Sequence, residues 1–84
     1  MPEQEIGTVE HFFDHIGVVA ITLTGGLTVG DTIHIKGHTT DVTTTVDSMQ
    51  IEHESVKKAG KGDAVGIRIV DKARQHDKVF KVTE

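Results

Sequence analysis

The stretch from Lys57 to Ile69, KKAGKGDAVGIRI, decides between two fold classes. Its Gly-Lys pair is compatible with a phosphate-binding loop, which requires G-x-x-x-x-G-K-[ST] followed by a helix. In this chain Lys61 is followed by glycine instead of Ser or Thr. The next residues place Val65, Ile67 and Ile69 at every second position, which is the spacing of a strand. The stretch therefore predicts a glycine-rich turn that leads into a β-strand, and it argues against a nucleotide site.

Stretches rich in Val, Ile and Thr, whose branched side chains suit a pleated sheet, alternate with turn signals along the rest of the chain. We predict strands at about 5–13, 17–24, 31–37, 41–51, 63–70 and 77–83. Within the fourth of these, Val42 and Val46 share a phase and Met49 does not, so a bulge or bend is expected before Met49. The predicted fold class is all-β, a small six-stranded antiparallel barrel.

Three further features refine the prediction. In Thr32 to Lys36, Ile33 and Ile35 face the core at alternate positions. The segment 52–59 has a weak helical spacing, which leaves an OB-like barrel with a short helix as the alternative fold. Three aspartates that precede predicted strands are expected to cap turns through hydrogen bonds from backbone amides. They are Asp31, Asp63 and Asp77.

Composition predicts one domain, 1–84, with an ordered core over about residues 6–82. The chain has no cysteine, so disulfides, thiolate metal ligands and a thiol nucleophile are excluded. No run approaches the ~20 apolar residues of a membrane span. The first twenty residues do not resemble a signal peptide, so a cytoplasmic location is expected.

Charge is distributed unevenly along the chain. The net charge is −4, with −8 in residues 1–56 and +4 in residues 57–84. The basic half could form one face for RNA or for an acidic partner. The alternative is that strands from the two halves interleave in the sheet, so that the halves of the sequence do not become faces of the fold.

Five segments in order carry a resemblance to a known family. They are Gly17 to Ala20 (GVVA), Leu27 to Ile35 (LTVGDTIHI), Val46 to Gln50 (VDSMQ), Ala59 to Ile67 (AGKGDAVGI) and His76 to Val79 (HDKV). The pattern resembles the β-barrel second domain of translation GTPases such as elongation factor Tu and initiation factor 2, as a free-standing elongation factor-like protein. The same barrel is similar to the C-terminal domain of collagenase-like peptidases, in which it is an accessory module.

The first resemblance implies a non-enzymatic translation module that binds tRNA or a ribosome-associated RNA through the barrel surface. No GTPase motif is present, so no GTPase activity and no nucleotide of its own are expected. The alternative is a protein-interaction or accessory module for another enzyme or factor, docked through a sheet edge. The candidate contacts with RNA or a partner are Lys57, Lys58, Lys61, Arg68, Arg74, Lys78 and Phe12. Because Phe12 and Phe13 are adjacent, one of them should point outward, unless a bulge in the strand buries both.

Residues for catalysis or metal binding do not converge in the sequence. The six histidines lack the spacing of a zinc site, and exposed histidines on the sheet surface account for them better. Ser48 and Ser55 are the only serines, and neither lies in a nucleophile elbow. The sequence therefore predicts no catalytic residue, no metal and no cofactor, and we expect a protein that is not an enzyme.

Overall fold

The structure, a computed structural model, describes residues 3–70 and 72–82. These residues form strands and turns and contain no helix, which confirms the all-β class. The strands are β1 (Glu3–Phe13), β2 (Val18–Leu23), β3 (Leu27–Thr28), β4 (Thr32–Lys36), β5 (Asp41–Thr45), β6 (Met49–Ile51), β7 (Glu54–Val56), β8 (Lys58–Ala59), β9 (Ala64–Arg68) and β10 (Lys78–Val82). Nowhere in the described ranges is there a helix long and apolar enough to cross a membrane.

The main sheet is open. Eight antiparallel strands follow the order β5-β4-β10-β1-β2-β9-β6-β7, and β3 pairs with β8 in a separate two-stranded sheet. The predicted six-stranded closed barrel is therefore wrong for the described residues. The predicted strand 41–51 breaks at residues 46–48, so that β5 pairs with β4 while β6 pairs with β9. This break sends its two halves to opposite ends of the sheet, and it confirms the bend expected before Met49.

The segment 52–59 contains strands instead of a helix, which removes the argument for an OB-like barrel. β6 and β7 form a tight hairpin in which Met49 pairs with Val56 and Ile51 pairs with Glu54. Val56 and Ala59 pack against the core from β7 and β8. Their spacing of three residues reflects two short strands separated by Lys57, and not one helical face.

One hydrophobic core fills the inner face of the sheet, as alternation predicts. Ile33 and Ile35 on β4 are both fully buried, which confirms their predicted orientation. The core comprises Ile6, Val9, Val19, Ile21, Leu23, Leu27, Ile33, Ile35, Val46, Met49, Val65, Ile67, Ile69, Ala73 and Val79. Because β9 sends Val65 and Ile67 inward, its other side chains must point to the outer face.

The same aspartate-capped turn occurs three times, each time just before a strand. The Oδ2 atoms of Asp31, Asp63 and Asp77 accept hydrogen bonds at 2.8–2.9 Å from the amide three residues earlier. The predicted caps are thus confirmed. In each turn the residue before the aspartate has a positive φ, 101° at Gly30, 92° at Gly62 and 75° at His76. Only the last turn uses a non-glycine residue there, at a steric cost.

Candidate functional site

The turn between β1 and β2 raises two apolar side chains above the outer face of the sheet. The amides of Ile16 and Gly17 donate to the carbonyl of Phe13, at 3.2 and 2.9 Å. Phe13 and Ile16 are 45% and 58% exposed, and together with Val70 they are the exposed large apolar residues in the part of the chain that the structure describes. The ring of His11 meets the Phe13 ring edge to face with a centroid distance of 4.4 Å, and this contact orients the phenyl group.

Beside this wall, small side chains form a low floor on β2 and β9. Ala20 pairs with Gly66, and Val18 pairs with Arg68, on adjacent antiparallel strands. A Cβ atom added to Gly66 would lie 3.3 Å from Val18 Cγ1, so glycine keeps this part of the floor low. Because Ala64, Gly66 and Arg68 lie at alternate positions of β9, all three face outward.

Polar residues of the β6–β7 hairpin form the opposite wall. Gln50 pairs with Gly66, and Glu52 and His53 make up the two-residue loop. The cavity between the walls has a volume of about 360 Å³, and a second one of about 340 Å³ continues it past Ser48 to Arg68. We call this groove the apolar trough. It is lined by Phe13, Ile16, Val18, Ala20, Ser48, Gln50, Glu52, His53, Ala64, Gly66 and Arg68.

The hairpin loop in this wall is strained. Glu52 and His53 have φ values of 51° and 68°, in the left-handed region that favours glycine. A two-residue loop with a positive φ at both positions is best served by Asn-Gly, and the penalty for other residues is about 1–2 kcal/mol each. Strained backbone of this kind is concentrated at functional sites. Both residues line the apolar trough, so the strain coincides with the one groove that exposes Phe13 and Ile16.

Replacing the loop by Asn-Gly provides a test of the strain. We expect Glu52→Asn combined with His53→Gly to raise the free energy of unfolding by about 1–3 kcal/mol, because relief of two steric penalties of about 1–2 kcal/mol is partly offset by the backbone entropy that the new glycine loses on folding. Urea unfolding followed by far-ultraviolet circular dichroism measures the change. The matched control is Asp47→Asn, at an exposed residue between β5 and β6 where φ is not positive, and it should change the stability little. A destabilised double variant would contradict the strained-loop description.

The basic residues expected to form one contact surface lie in separate places. Lys57 lies just before β8, Lys58 lies on β8 and Lys61 lies in the turn after it, whereas Arg68 lines the apolar trough. Lys78 lies on β10, opposite Lys36 of β4. This dispersion arises because β8, β9 and β10 pair with β3, β2 and β1 and not with one another. The role of these residues as contacts stays a prediction.

Phe12 and Arg74 do share a depression, on another part of the surface. It has a volume of about 610 Å³ and is also lined by His11 and His76. Phe12 itself is half-buried and packs against the core, so the more exposed of the two adjacent phenylalanines is Phe13. The spacing of apolar residues in β1 indicates that Phe12 turns inward. Val9 and Phe12 both turn inward three residues apart, which requires the bulge that β1 has between Val9 and His11.

His34 makes a second polar cluster, on the half of the sheet formed by β4, β5 and β10. Its Nδ1 lies 2.7 Å from Glu3 Oε2, and its Nε2 is hydrogen-bonded to Asp41 Oδ1. The hydrogen bond to Asp41, followed by that to Glu3, raises the pKa of His34 above its usual value. The two carboxylates lie on opposite nitrogens of the ring and so cannot converge on one ion. Across residues 3–70 and 72–82 no group of three or more metal-ligating side chains is found.

Comparison with known sequences yields relatives that are named as proteases. The chain is 42% identical over 81 residues to an uncharacterized protease of Methanocaldococcus jannaschii, across 95% of this chain and 20% of the relative. It is 33% identical over 78 residues to a collagenase of Porphyromonas gingivalis, across 90% of this chain and 22% of the relative. The chain thus spans about one fifth of the length of these relatives. No family model matches it.

A solved structure has the same fold. The C-terminal domain of a Geobacillus thermoleovorans putative U32 peptidase superposes with a TM-score of 0.89, over 95% of this chain and 93% of that domain. Sequence identity is 13%, so this likeness establishes the fold and not the activity.

These findings correct three predictions made from sequence. The relatives are named as proteases and not as translation factors, so the resemblance to the second domain of translation GTPases and the translation function implied by it are wrong. The expectation of a protein that is not an enzyme is also overturned, because the relatives carry the names of proteases. There is a physical reason why these motifs wrongly indicated a translation-factor domain. The Gly-Asp segments encode the aspartate-capped turn, and any all-β domain can use that turn before a strand. The names of the relatives agree instead with the second similarity, to collagenase-like peptidases.

Proposed function

We propose that this chain is the β domain of a protease-related protein and that its apolar trough binds a polypeptide segment in extended conformation. The observation that carries the proposal is the trough itself, in which exposed Phe13 and Ile16 stand beside the small residues Ala20 and Gly66. Exposed aromatic and aliphatic groups beside a concave surface are the usual anchors of protein contacts. A polypeptide is also the material on which proteins named protease and collagenase act.

The dimensions of the trough suit a few side chains. Pockets for drug-sized ligands measure roughly 300–1,000 Å³, and the apolar part of the trough, at about 360 Å³, lies at the lower end of that range. It is open along its length instead of closed like a cofactor pocket, because β2 and β9 form a continuous floor from Ala64 to Arg68. An extended segment can lie on such a floor and place one apolar side chain between Phe13 and Gln50.

The relatives extend well beyond the matched region, and whatever activity they have is a property of proteins about five times as long as this chain. The cytoplasmic location and the single-domain boundaries 1–84 stay predictions from the sequence. The tRNA, ribosome or translation-linked partner expected from the sequence likewise stays a prediction.

Filling the floor of the trough tests the proposal. The probe is the blocked neutral pentapeptide Gln-Ser-Leu-Ser-Gln, titrated into isotope-labelled protein while amide chemical shifts are recorded. We expect shifts at Ile16, Ala20 and Gly66, and about tenfold weaker binding in Ala20→Leu, because a new isobutyl group occupies the space of the ligand's leucine at a cost of about 1.4 kcal/mol.

The matched control introduces the same side chain on the outer face of a distant strand. Thr45 is exposed on β5, at the end of the sheet. Thr45→Leu should bind the peptide as the unmodified protein does. Equal affinity in Ala20→Leu and Thr45→Leu, or shifts confined to residues outside the trough, would rule out the trough as the binding site.

A further inference from the structure

The apolar trough has a charge at each end. Arg68 lies at one end beside Ser48, and Glu52 lies at the other end beside Ala64. Glu10 reinforces the acidic end, because its Oε1 accepts a hydrogen bond at 2.7 Å from Thr22, the cross-strand partner of Ala64. The small residues Ala20 and Gly66 lie between these ends.

The spacing of these groups follows from β9. Ala64, Gly66 and Arg68 lie at alternate positions of one strand and therefore share its outer face. Successive residues on one face of a strand are about 6.7 Å apart, so the two ends of the trough are separated by roughly 13 Å. An extended ligand has the same repeat, and its side chains at alternate positions can meet the two charged ends and the apolar centre together.

Arg68 is available for such a contact. Its side chain is exposed on the outer face of β9, and within the described residues it makes no ion pair and no side-chain hydrogen bond. Glu52 is held in place by the strained two-residue loop, where φ is 51°. A more relaxed Asn-Gly loop would place neither a carboxylate nor an imidazole at this wall. The strain is therefore explained if Glu52 and His53 contact a ligand.

We infer that the trough selects extended polypeptide segments in which a basic, an apolar and an acidic side chain occur at alternate positions. The acidic side chain meets Arg68, the apolar one lies over Ala20 and Gly66, and the basic one meets Glu52. Charge complementarity at both ends fixes the position of the segment along the trough, which an apolar contact alone would leave free to slide. This inference rests on the proposed function, because it assigns the sequence preference of the same groove.

The test compares four blocked peptides on the unmodified chain at low salt. They are Lys-Ser-Leu-Ser-Glu, the singly charged Lys-Ser-Leu-Ser-Gln and Gln-Ser-Leu-Ser-Glu, and the neutral Gln-Ser-Leu-Ser-Gln. Each exposed charge pair is expected to strengthen binding about threefold, so the doubly charged peptide should bind about tenfold more tightly than the neutral one. The gain should shrink at high salt, since exposed pairs are screened.

Two charge-removing variants assign each preference to its residue. Arg68→Gln should remove the preference for Glu over Gln in the peptide and keep the preference for Lys. Glu52→Gln should do the reverse. The circular dichroism spectrum and the urea midpoint of each variant, compared with those of the unmodified protein, serve as the control for folding.

The results separate the inference from the function on which it rests. If the neutral peptide binds in the trough and the charged peptides bind no better, or if Arg68→Gln keeps the full preference for Glu, the inference is overturned and the proposed function stands. If none of the four peptides binds, both fall.

Discussion

Gly7→Ala is expected to lower the free energy of unfolding by about 3 kcal/mol, the upper part of the range for overpacking a tight interior. Gly7 is buried in β1 at a shift in its register with β10. A Cβ atom there would lie 2.7 Å from the carbonyl oxygen of Thr22 and 2.8 Å from Ile21 Cγ2. The oxygen belongs to the backbone of β2 and cannot rotate away, so β1 and β2 must separate at the centre of the sheet.

The measurement is urea unfolding followed by circular dichroism, since the chain has no Trp or Tyr for fluorescence. Gly60→Ala is the matched control, because an added Cβ meets nothing within 4 Å there and the residue does not have a positive φ. Its stability should change by less than about 0.5 kcal/mol. Equal stability of the two variants would show that β1 and β2 are not packed as closely as described.

Local chemistry explains what could be predicted from the sequence. The aspartate-capped turns depend on residues within four positions of one another, as in Gly60 to Asp63, and the sequence predicts them correctly. The inward direction of Ile33 and Ile35 depends only on alternation along one strand. The phosphate-loop alternative for Lys57 to Ile69 fails for the same local reason, because β9 is a strand with Val65 and Ile67 buried.

Long-range pairing explains what could not be predicted. The requirement for glycine at position 7 comes from Thr22, on another strand. The order of strands in the sheet depends on where the predicted strand 41–51 breaks, and the sequence marks the break without showing that β5 and β6 part to opposite ends. The Gly-Asp motifs behind the resemblance to translation GTPases consist of turn residues, so they predict the local turns and do not identify the protein.

The apolar trough could be predicted from the sequence only in part. Arg68 is a predicted contact residue, but its neighbours Val18 and Ser48 come from β2 and from the segment before β6. Ala20 and Gly66 form one floor only because β2 and β9 are adjacent in the sheet, and the sequence does not show that these strands pair. By residue type alone, alanine and glycine are weak strand formers. In the folded sheet, these two residues form the floor of a groove.

Two isoleucines separate the contribution of the core from that of the trough. Ile67 is fully buried on β9 between Val19 and Met49, its partners on β2 and β6. We expect Ile67→Ala to lower the free energy of unfolding by about 3–4 kcal/mol, through the lost transfer free energy and the cavity left between the three strands. In a domain of this size that is a large share of the total stability, so a lower urea midpoint should be evident by circular dichroism.

Ile16→Ala is the same chemical change at a side chain that is 58% exposed. Its stability should stay within about 0.5 kcal/mol of the unmodified chain. Binding of the Leu-containing peptides should nevertheless weaken about fivefold, a loss of about 1 kcal/mol from a shortened wall of the trough. The opposite assignment, with Ile16→Ala destabilising the fold or leaving peptide affinity intact, would show that the β1–β2 turn belongs to the core and not to a binding surface. The contrast between the two substitutions therefore distinguishes an apolar residue that holds the sheet together from one that the sheet presents to a partner.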